Sequence, residues 1–199
     1  MKVAIIKYNA GNVQSVLFAL ERIGVNAILS DNADEIQSAD KIIFPGVGEA
    51  SSAMNYLRNN NLDSLIVSLK QPTLGICLGM QLMCKYSDEG NTNCLGIFNS
   101  SVKKFDFERQ QGNILKVPQI GWNTIYNLNS NLFKSIKENE YMYFVHSYYV
   151  EKSEDMIATT NYGIEYSSAL QKNNFYAVQF HPEKSSDAGQ QIMQNFIAL

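Results

Sequence analysis

Short apolar runs alternate with helical patterns in the first part of the chain. The runs have the length and composition of strands buried in a parallel sheet: Val3-Ala4-Ile5-Ile6, Ala27-Ile28-Leu29 and Lys41-Ile42-Ile43-Phe44. Between the first two runs, apolar residues recur at helical spacing, namely Val13, Val16, Leu17, Leu20 and Ile23. This alternation predicts parallel strands joined by right-handed helical crossovers.

Residue types at the ends of these patterns mark the helix boundaries. Asn12 is a favoured N-cap residue and Gly24 a favoured stop, so the first helix is expected between them. Further helices are predicted around Asp34–Ser38 and over Ala50–Asn60, Leu62–Lys70 and Ser186–Leu199. An amphipathic helix is also predicted directly after Cys77.

The second half carries shorter strand patterns, which are broken by Asn, Ser, Gly and Lys. Strands are predicted at Leu95–Phe98, Ser101–Asp106, Ile120–Ile125, Tyr141–His146, Met156–Thr160, Glu165–Leu170 and Asn174–Phe180. A polar loop is predicted over Asp106–Lys116, and a short helix from Asn129 to Phe133. We therefore expect an α/β fold, with residues 1–199 forming a single domain. Its central sheet should be mixed and mostly parallel, with helices on both faces and antiparallel strands in the second half.

Composition and charge narrow the classes of function. Of the 199 residues, 45% are hydrophobic and 18% are charged, which is typical of a globular domain with a sizeable core. The net charge of −3 gives no general attraction to nucleic acid or to an anionic membrane. No apolar run approaches the roughly 20 residues that span a bilayer, and the N-terminal run is too short for a signal peptide.

Cysteine and histidine usage bears on metals, disulfides and location. The three cysteines are an odd number and have no Cys-x-x-Cys spacing, and the two histidines lie far apart in the sequence. Both features argue against a disulfide framework and a zinc site. We expect a cytoplasmic protein with reduced thiols, no metal and no cofactor.

The stretch Gly75-Ile76-Cys77-Leu78-Gly79, called the elbow below, resembles the sharp turn between strand and helix that exposes a nucleophile. Such a turn strains the backbone at its apex, and the flanking glycines leave room there. Cys77 would project from the sheet edge over the amino end of the next helix, which favours the reactive thiolate. The amide of Leu78 would point to where an oxyanion forms. From this stretch alone, a buried cysteine in an ordinary turn between strand and helix is the alternative.

The loop Pro45-Gly46-Val47-Gly48 follows the third strand. Loops at the carboxyl ends of parallel strands gather at one edge of the sheet, so this loop should lie beside Cys77. Its glycines suit a backbone that approaches a ligand closely or reorients a peptide. A phosphate-binding loop is a weak alternative, because no Lys-Ser/Thr follows the glycines.

The last predicted strand leads into His181-Pro182-Glu183, at the same edge of the sheet. Pro182 would turn the chain so that Glu183 folds back on the imidazole and fixes its tautomer, while the other ring nitrogen faces Cys77. A histidine that merely caps a turn is the alternative for His181 alone. Together with the elbow, the pattern favours a Cys77–His181–Glu183 catalytic triad.

These residues resemble the class I, or triad, glutamine amidotransferases. The elbow with Gln81, the Pro45–Gly48 loop and Phe180-His181-Pro182-Glu183 carry this resemblance. Other stretches are similar to one branch, the glutaminase subunits of imidazole glycerol phosphate synthases: Tyr8-Asn9-Ala10-Gly11-Asn12, Val117-Pro118-Gln119-Ile120-Gly121-Trp122-Asn123, Tyr143-Phe144-Val145-His146-Ser147-Tyr148 and His181-Pro182-Glu183-Lys184-Ser185. The resemblance covers the chain from end to end and implies a flavodoxin-like fold.

The resemblance implies a role for each matching residue. Cys77 would attack the side-chain amide of glutamine, and His181, held by Glu183, would pass the thiol proton to the departing ammonia. Leu78 and, after a peptide reorientation, the loop Gly46-Val47-Gly48 would supply oxyanion donors. Gln81 and backbone groups of His146, Ser147 and Tyr148 would contact glutamine. A solvated Gln81 and a second catalytic base at His146 are the alternatives.

The resemblance also implies a partner and a pathway. Ammonia would pass to a separate (β/α)8-barrel cyclase subunit, which uses it in L-histidine biosynthesis. Asn12, Trp122, Tyr143 and the Gly46–Gly48 loop are candidates for the docking face, because an exposed indole beside a catalytic cleft suits an interface anchor. An ordinary core tryptophan is the alternative for Trp122.

Several rival functions remain open at the level of sequence. Many members of the branch have Met where this chain has Ile120, and often His in place of Gln119. A glutaminase that supplies ammonia to a sugar-modifying enzyme would keep the same triad. Anthranilate- and guanylate-type glutaminases fit less well, because Met80 stands where those often have His. A papain-like protease is disfavoured by the βαβ pattern, and a catalytically silent regulatory protein by the intact triad.

Overall fold

The computed structural model describes residues 1–9, 11–107 and 115–199, so most of the predicted 106–116 loop and Ala10 lie outside the described residues. The strands are β1 Val3–Ile6, β2 Ala27–Ser30, β3 Lys41–Gly46, β4 Thr73–Cys77, β5 Cys84–Ser87, β6 Thr92–Asn93, β7 Phe98–Lys104, β8 Gln119–Ile125, β9 Glu140–His146, β10 Tyr148–Val150, β11 Met156–Asn161, β12 Glu165–Lys172 and β13 Phe175–Val178. The helices are α1 Val13–Arg22, α2 Ala33–Gln37, α3 Ala50–Asn59, α4 Leu62–Ser68, α5 Leu78–Met83 and α6 Ser186–Ala198.

One large sheet joins the two halves of the chain. Its strand order is β2-β1-β3-β4-β13-β12-β10-β7-β5-β6, with β11 paired to β12. The pairs from β2 to β13 are parallel, whereas β13–β12, β12–β10 and β10–β7 are antiparallel. The predicted mixed α/β sheet is therefore confirmed. β4 lies between β3 and β13, which places the three predicted site segments on adjacent strands.

Helices cover both faces of the sheet, so the side chains on both sides of a central strand such as β1 are buried. In β1, Ala4 and Ile6 belong to the core beneath α2, α3, α4 and α5. Val3 and Ile5 belong to the opposite core, which α1 and α6 cover. Successive strand residues point to opposite faces, so a strand that is apolar throughout is buried on both sides. β2 is an exception, because it is an edge strand with Ile28 and Leu29 exposed.

Two of the predicted strands, β8 and β9, do not join the large sheet. These strands pair with each other as a separate antiparallel ribbon. Along β9, Met142 and Phe144 are buried, whereas Tyr141 is exposed. On β8, Ile120 and Trp122 are exposed. The ribbon lays one apolar face on the core and leaves aromatic and aliphatic side chains on the other.

Some local predictions around the elbow are also wrong. The predicted amphipathic helix is only six residues long, and all six are buried, so it has no solvent face. Strand β5 follows it directly and is not predicted by the sequence pattern. The strands predicted at Leu95–Phe98 and Ser101–Asp106 are replaced by one strand, β7, which begins at Phe98. Residues 95–97 precede it outside the strand, since Gly96 has a positive φ of 69°. The predicted short helix from Asn129 is a single 3-10 turn, Asn131–Phe133.

Asn12 precedes α1 as expected but does not cap it through its side chain. Its backbone is left-handed (φ 70°), and no hydrogen bond joins its side chain to the helix. The side chain amide instead donates to Glu183 Oε1. No helix within the described ranges is both long and apolar enough to cross a bilayer.

Candidate active site

The elbow places Cys77 at the junction of β4 and α5. Its backbone has φ 54° and ψ −110°, a conformation that costs about 1–3 kcal/mol for a residue with a side chain. A Cβ on Gly79 would lie 1.9 Å from the Phe44 carbonyl oxygen, and one on Gly75 would lie 2.9 Å from the Met83 sulfur. The sequence led us to expect that the two glycines leave room for the backbone at Cys77. In the structure they instead allow the close approach of β3 and α5.

The end of β3 lies directly opposite the elbow, with Gly46 in register with Cys77. The buried Tyr8 hydroxyl donates to the Pro45 carbonyl (2.8 Å), and a Cβ on Gly46 would lie 2.3 Å from that hydroxyl. Gly48 has a φ of 125° and open space around it. The loop is therefore held tightly at its start and has room to move at Gly48.

The chain turns sharply after β13 and presents His181 to the elbow. His181 Nδ1 lies 2.6 Å from Glu183 Oε1, and both side chains are buried. Ser185 closes the turn, because its hydroxyl donates to the His181 carbonyl (2.6 Å) and accepts from the Tyr143 amide (3.0 Å). Hydrogen bonds to the backbone of His181 and to its ring therefore both hold the imidazole in place.

Electrostatics favour a protonated His181. Burial lowers the pKa of its imidazole, but interactions with Cys77 and with Glu183 outweigh burial and raise the pKa to about 10. Nε2 is buried without a hydrogen-bond partner in the described part of the chain. His181 therefore interacts with Cys77 mainly through charge, and Glu183 holds the Nδ1 side of the ring.

A cavity of about 310 Å³ opens beside the Cys77 sulfur, a size that suits a small-molecule ligand. It is lined by Val47, Gly48, Cys77, Leu78, Gln81, Glu89, Pro118, Val145, His146, Ser147 and Tyr148. Most of the predicted substrate-binding residues therefore line one cavity; Gly46 is the one that does not. Glu89 was not predicted, because it lies in a 3-10 turn whose place next to the elbow depends on β5.

His146 is buried, but its surroundings do not suit a catalytic base. Its Nδ1 lies 2.7 Å from the Tyr148 carbonyl, so Nδ1 carries the proton and donates. Nε2 lies 3.3 Å from the Tyr166 hydroxyl, whose proton is donated to Gln119 Oε1 at 3.0 Å. Burial lowers its pKa to about 4, despite the opposing effect of the Tyr148 hydrogen bond. The ring is neutral, and its two nitrogens face a carbonyl and a hydroxyl in the protein interior, which argues against the alternative of a second base.

Gln81 is buried, so the alternative of a solvated helix residue is wrong. Its amide nitrogen donates to the Tyr148 carbonyl and to Gln179 Oε1, both at 3.0 Å. Gln179 Nε2 in turn lies 3.7 Å from the Cys77 sulfur. Gln179 was not predicted from the sequence; the only signal was a polar residue at the end of an apolar strand, two positions before His181.

Three of the predicted docking candidates, Asn12, Trp122 and Tyr143, lie around the turn that carries His181 and Glu183. Trp122 is 53% exposed and its ring packs edge-on against Tyr143 (5.9 Å between centroids), so it is not an ordinary core tryptophan. The Tyr143 carbonyl accepts from the His181 amide (2.9 Å), and Asn12 donates to Glu183 Oε1 (2.5 Å). This surface, formed by Asn12, Trp122 and Tyr143, is called the ribbon face below.

Comparisons with known proteins agree on one family. The family model described as glutamine amidotransferase class-I matches residues 4–199. The imidazole glycerol phosphate synthase subunit HisH of Bacteroides fragilis (strain YCH46) is 54% identical over 199 residues, which is 100% of this chain and 100% of that one. The protein of the same name from Pasteurella multocida (strain Pm70) is 44% identical over 196 residues, 98% of this chain and 96% of its own.

Solved structures share the fold at much lower identity. A putative GMP synthase protein from Thermoplasma acidophilum has a TM-score of 0.75 at 20% identity and covers 100% of this chain and 92% of its own. A structure described as a glutamine amidotransferase has a TM-score of 0.72 at 17% identity, covering 98% of this chain and 97% of that one. These likenesses concern the fold alone.

Proposed function

The chain belongs to the class-I glutamine amidotransferase family, and we propose that it is the glutaminase subunit of an imidazole glycerol phosphate synthase in histidine biosynthesis. One observation carries the chemistry: an elbow cysteine, coupled to a buried His181–Glu183 pair, lines a cavity large enough for glutamine. The relatives named above, which match over essentially the whole chain, support the choice of branch. Residues 1–199 are taken as one glutamine amidotransferase domain.

In the proposed reaction, the Cys77 thiolate attacks the side-chain amide carbon of glutamine. A new C–S bond forms, and the carbonyl electrons move onto oxygen. The N–H of Leu78, the first residue of α5, has no acceptor within the helix and can donate to that oxyanion. A second donor would come from the Gly46-Val47-Gly48 loop, whose open end at Gly48 leaves room for a peptide to reorient.

His181 then supplies the proton for the leaving group. The imidazolium donates from Nε2 to the amide nitrogen, so that the C–N bond breaks and ammonia departs. Glu183 keeps the proton of Nδ1 in place and stabilises the ring while it is charged. The neutral imidazole next takes a proton from water, which attacks the thioester, releases glutamate and regenerates the thiolate.

The cavity offers polar groups for the other end of glutamine. Gln81 uses its amide nitrogen within the protein, so its Oε1 is the atom available to a ligand. We assign the Glu89 carboxylate, whose pKa is raised by burial, to the substrate's ammonium group, since a cation there would offset the burial of the negative charge. Backbone groups of Ser147 and Tyr148 line the same cavity.

We assign the ribbon face to a (β/α)8-barrel cyclase subunit. The exposed ring of Trp122 is a suitable anchor residue, because aromatic side chains contribute much of the energy of protein interfaces. The face contacts the triad through Asn12 and Tyr143, so docking there would act on Glu183 and His181 directly. A cytoplasmic location is part of the proposal, because a catalytic thiolate requires a reducing compartment.

The test is to measure glutamate formation by the purified chain alone and with a barrel cyclase and its nucleotide substrate. We expect slow turnover alone and faster turnover in the complex. Strong activity without any partner would contradict the proposed dependence on the cyclase. A Cys77→Ser complex should lose glutamine-dependent synthesis but retain synthesis from added ammonium. Acceleration by a sugar-modifying partner instead of the cyclase would assign the chain to the rival branch.

A further inference from the structure

Gln179 is fully buried beside the catalytic sulfur, at the end of β13. A buried amide must place both its carbonyl and its NH2 group in hydrogen bonds, since an unsatisfied polar group costs about 1–3 kcal/mol. Its Oε1 lies 3.0 Å from Gln81 Nε2, and its Nε2 lies 3.7 Å from Cys77 Sγ. The Gln179 backbone N–H donates to the Ser168 carbonyl (2.9 Å), which fixes the position of the residue.

The orientation of the Gln179 amide follows from its neighbours. The Tyr148 carbonyl can only accept a hydrogen bond, so the end of Gln81 that faces it must be the NH2 group. The same NH2 group faces Gln179, and therefore the Gln179 atom that meets it must be the oxygen. The NH2 group of Gln179 is then left to point at the sulfur. A chain of two amides thus runs from the Tyr148 carbonyl to Cys77.

A donor aimed at sulfur favours the thiolate over the thiol. The thiol, in contrast, can donate to the Val145 carbonyl (3.9 Å), which can stabilise only the protonated form. We propose that Gln179 is a positioning residue that, oriented by Gln81, donates to the Cys77 sulfur, favours its thiolate and aims it at the substrate carbon. Hydrogen bonds to a charged group favour its charged form, so loss of this donor should raise the pH at which the thiolate appears.

Other titratable groups also surround the sulfur and must be separated from Gln179 in any test. His181, with Glu183 behind it, faces the sulfur from the end of β13, and the Tyr8 phenol approaches from the end of β1. Tyr166 lies on β12 and interacts with the charge of Cys77. Substitutions at Gln179 leave all of these side chains unchanged, so a change in thiolate formation can be attributed to the amide.

The experiment measures the rate at which iodoacetamide alkylates Cys77 as a function of pH, with the modified peptide followed by mass spectrometry. Variants are Gln179→Met, which keeps the length but removes the donor, and Gln179→Glu, which replaces the donor by a carboxylate. Gln37→Met, an exposed site, is the matched control. Alkylation at Cys77 is resolved from that at Cys94, whose pKa burial raises to about 12, and from that at the buried Cys84.

We expect the midpoint of the alkylation profile to rise by about one pH unit in Gln179→Met, equivalent to a tenfold loss of thiolate, and further in Gln179→Glu. Gln37→Met should match the wild type. In the cyclase complex, kcat of Gln179→Met should fall about tenfold while KM for glutamine changes less than about threefold, because the thiolate acts after binding. The kcat and KM measurements rest on the proposed function, whereas the alkylation measurement does not.

An unchanged alkylation profile in folded Gln179→Met would overturn the inference, even if turnover fell. If that variant does not fold, Gln81→Met decides, because it removes the group that orients Gln179 and should also raise the midpoint. No shift there would again overturn the inference. Where both variants fold, Gln81→Met with Gln179→Met should shift the midpoint no more than Gln179→Met alone, since the two amides act in series. A wild type that alkylates as expected but forms no glutamate would contradict the proposed function only.

Discussion

The chain has two histidines, both buried near the end of a strand, but their surroundings shift the pKa of the imidazole in opposite directions. His146 ends β9 and His181 follows β13; both rings are buried, and both hold Nδ1 in a hydrogen bond of 2.6–2.7 Å. At His146 the acceptor is a carbonyl and the pKa falls to about 4, whereas at His181 the acceptor is a carboxylate and the pKa rises to about 10.

The difference lies in what the partners can do with charge. The carbonyl and the hydroxyl that face the His146 ring are neutral and cannot offset the burial of a cation, so burial lowers the pKa of His146. The Glu183 carboxylate and the interactions with Cys77 outweigh burial at His181, so the imidazolium is the favoured form there. Strand-end position and burial alone therefore do not distinguish the two histidines; the chemistry of the groups that face their ring nitrogens does.

The largest expected effect is a difference in glutaminase turnover between substitutions of His181 and of His146. His181→Gln should lower glutaminase turnover in the cyclase complex by about 10³-fold or more, since the members of a triad act as a unit. His146→Gln, which can still donate to the Tyr148 carbonyl, should cost less than about tenfold. Steady-state glutamate formation measures both. Comparable losses in the two variants would erase the distinction between the regions.

Removing the carboxylate should make the His181 region behave more like that of His146. Glu183→Gln keeps the shape of the side chain but removes the negative charge beside Nδ1, so kcat should fall by about 10²-fold or more. Circular dichroism and thermal unfolding would check that the turn remains folded. A variant with wild-type kcat would show that Glu183 only packs against the ring.

The pH dependence should move in a defined direction. His181 is protonated below its pKa of about 10 and can then donate to the leaving ammonia, so kcat should decline as pH rises through about 10. Glu183 raises that pKa, and Glu183→Gln should move the alkaline limb to lower pH. The measurement is the kcat–pH profile of the complex; an alkaline limb that Glu183→Gln leaves in place would contradict the assignment.

The smallest effect concerns stability at His146. Its pKa is about 4 in the folded protein against 6.5 for a free imidazole, so the unfolded chain binds a proton first as pH falls. The free energy of unfolding should therefore drop by about 3 kcal/mol between pH 7 and pH 4 from this group alone. Urea unfolding of wild type and His146→Gln at both pH values isolates that contribution. Equal pH dependence in the two proteins would contradict it.

The sequence was sufficient for the parallel half of the fold. Apolar runs such as Val3–Ile6 are buried on both faces, so their composition alone predicts them, and the elbow and His-Pro-Glu turn have fixed local spacing. The predicted site residues Cys77, His181 and Glu183 meet because β4 and β13 are neighbours. That pairing joins residues about a hundred positions apart and follows only from the assembled sheet.

What the sequence could not supply depended on tertiary contacts. The β8–β9 ribbon has the same local pattern as the other strands, so its separation from the large sheet is not encoded in its alternation. Asn12 was predicted as a helix cap and instead bonds to Glu183, because the αL backbone turns its side chain toward the triad. The residues next to Gln179 and Glu89 in the sequence give no sign of a functional role. Both side chains reach the site only because strands distant in sequence are paired in the fold.

The central claim is that Cys77, coupled to His181, is the nucleophile toward glutamine. The most direct measurement is mass spectrometry of the cyclase complex, quenched with acid during turnover of glutamine and digested to peptides. We predict one glutamyl group on the peptide that carries Cys77, and none in Cys77→Ala, which should release no glutamate. A glutamyl group at another residue, or wild-type glutamate release by Cys77→Ala, would contradict this claim.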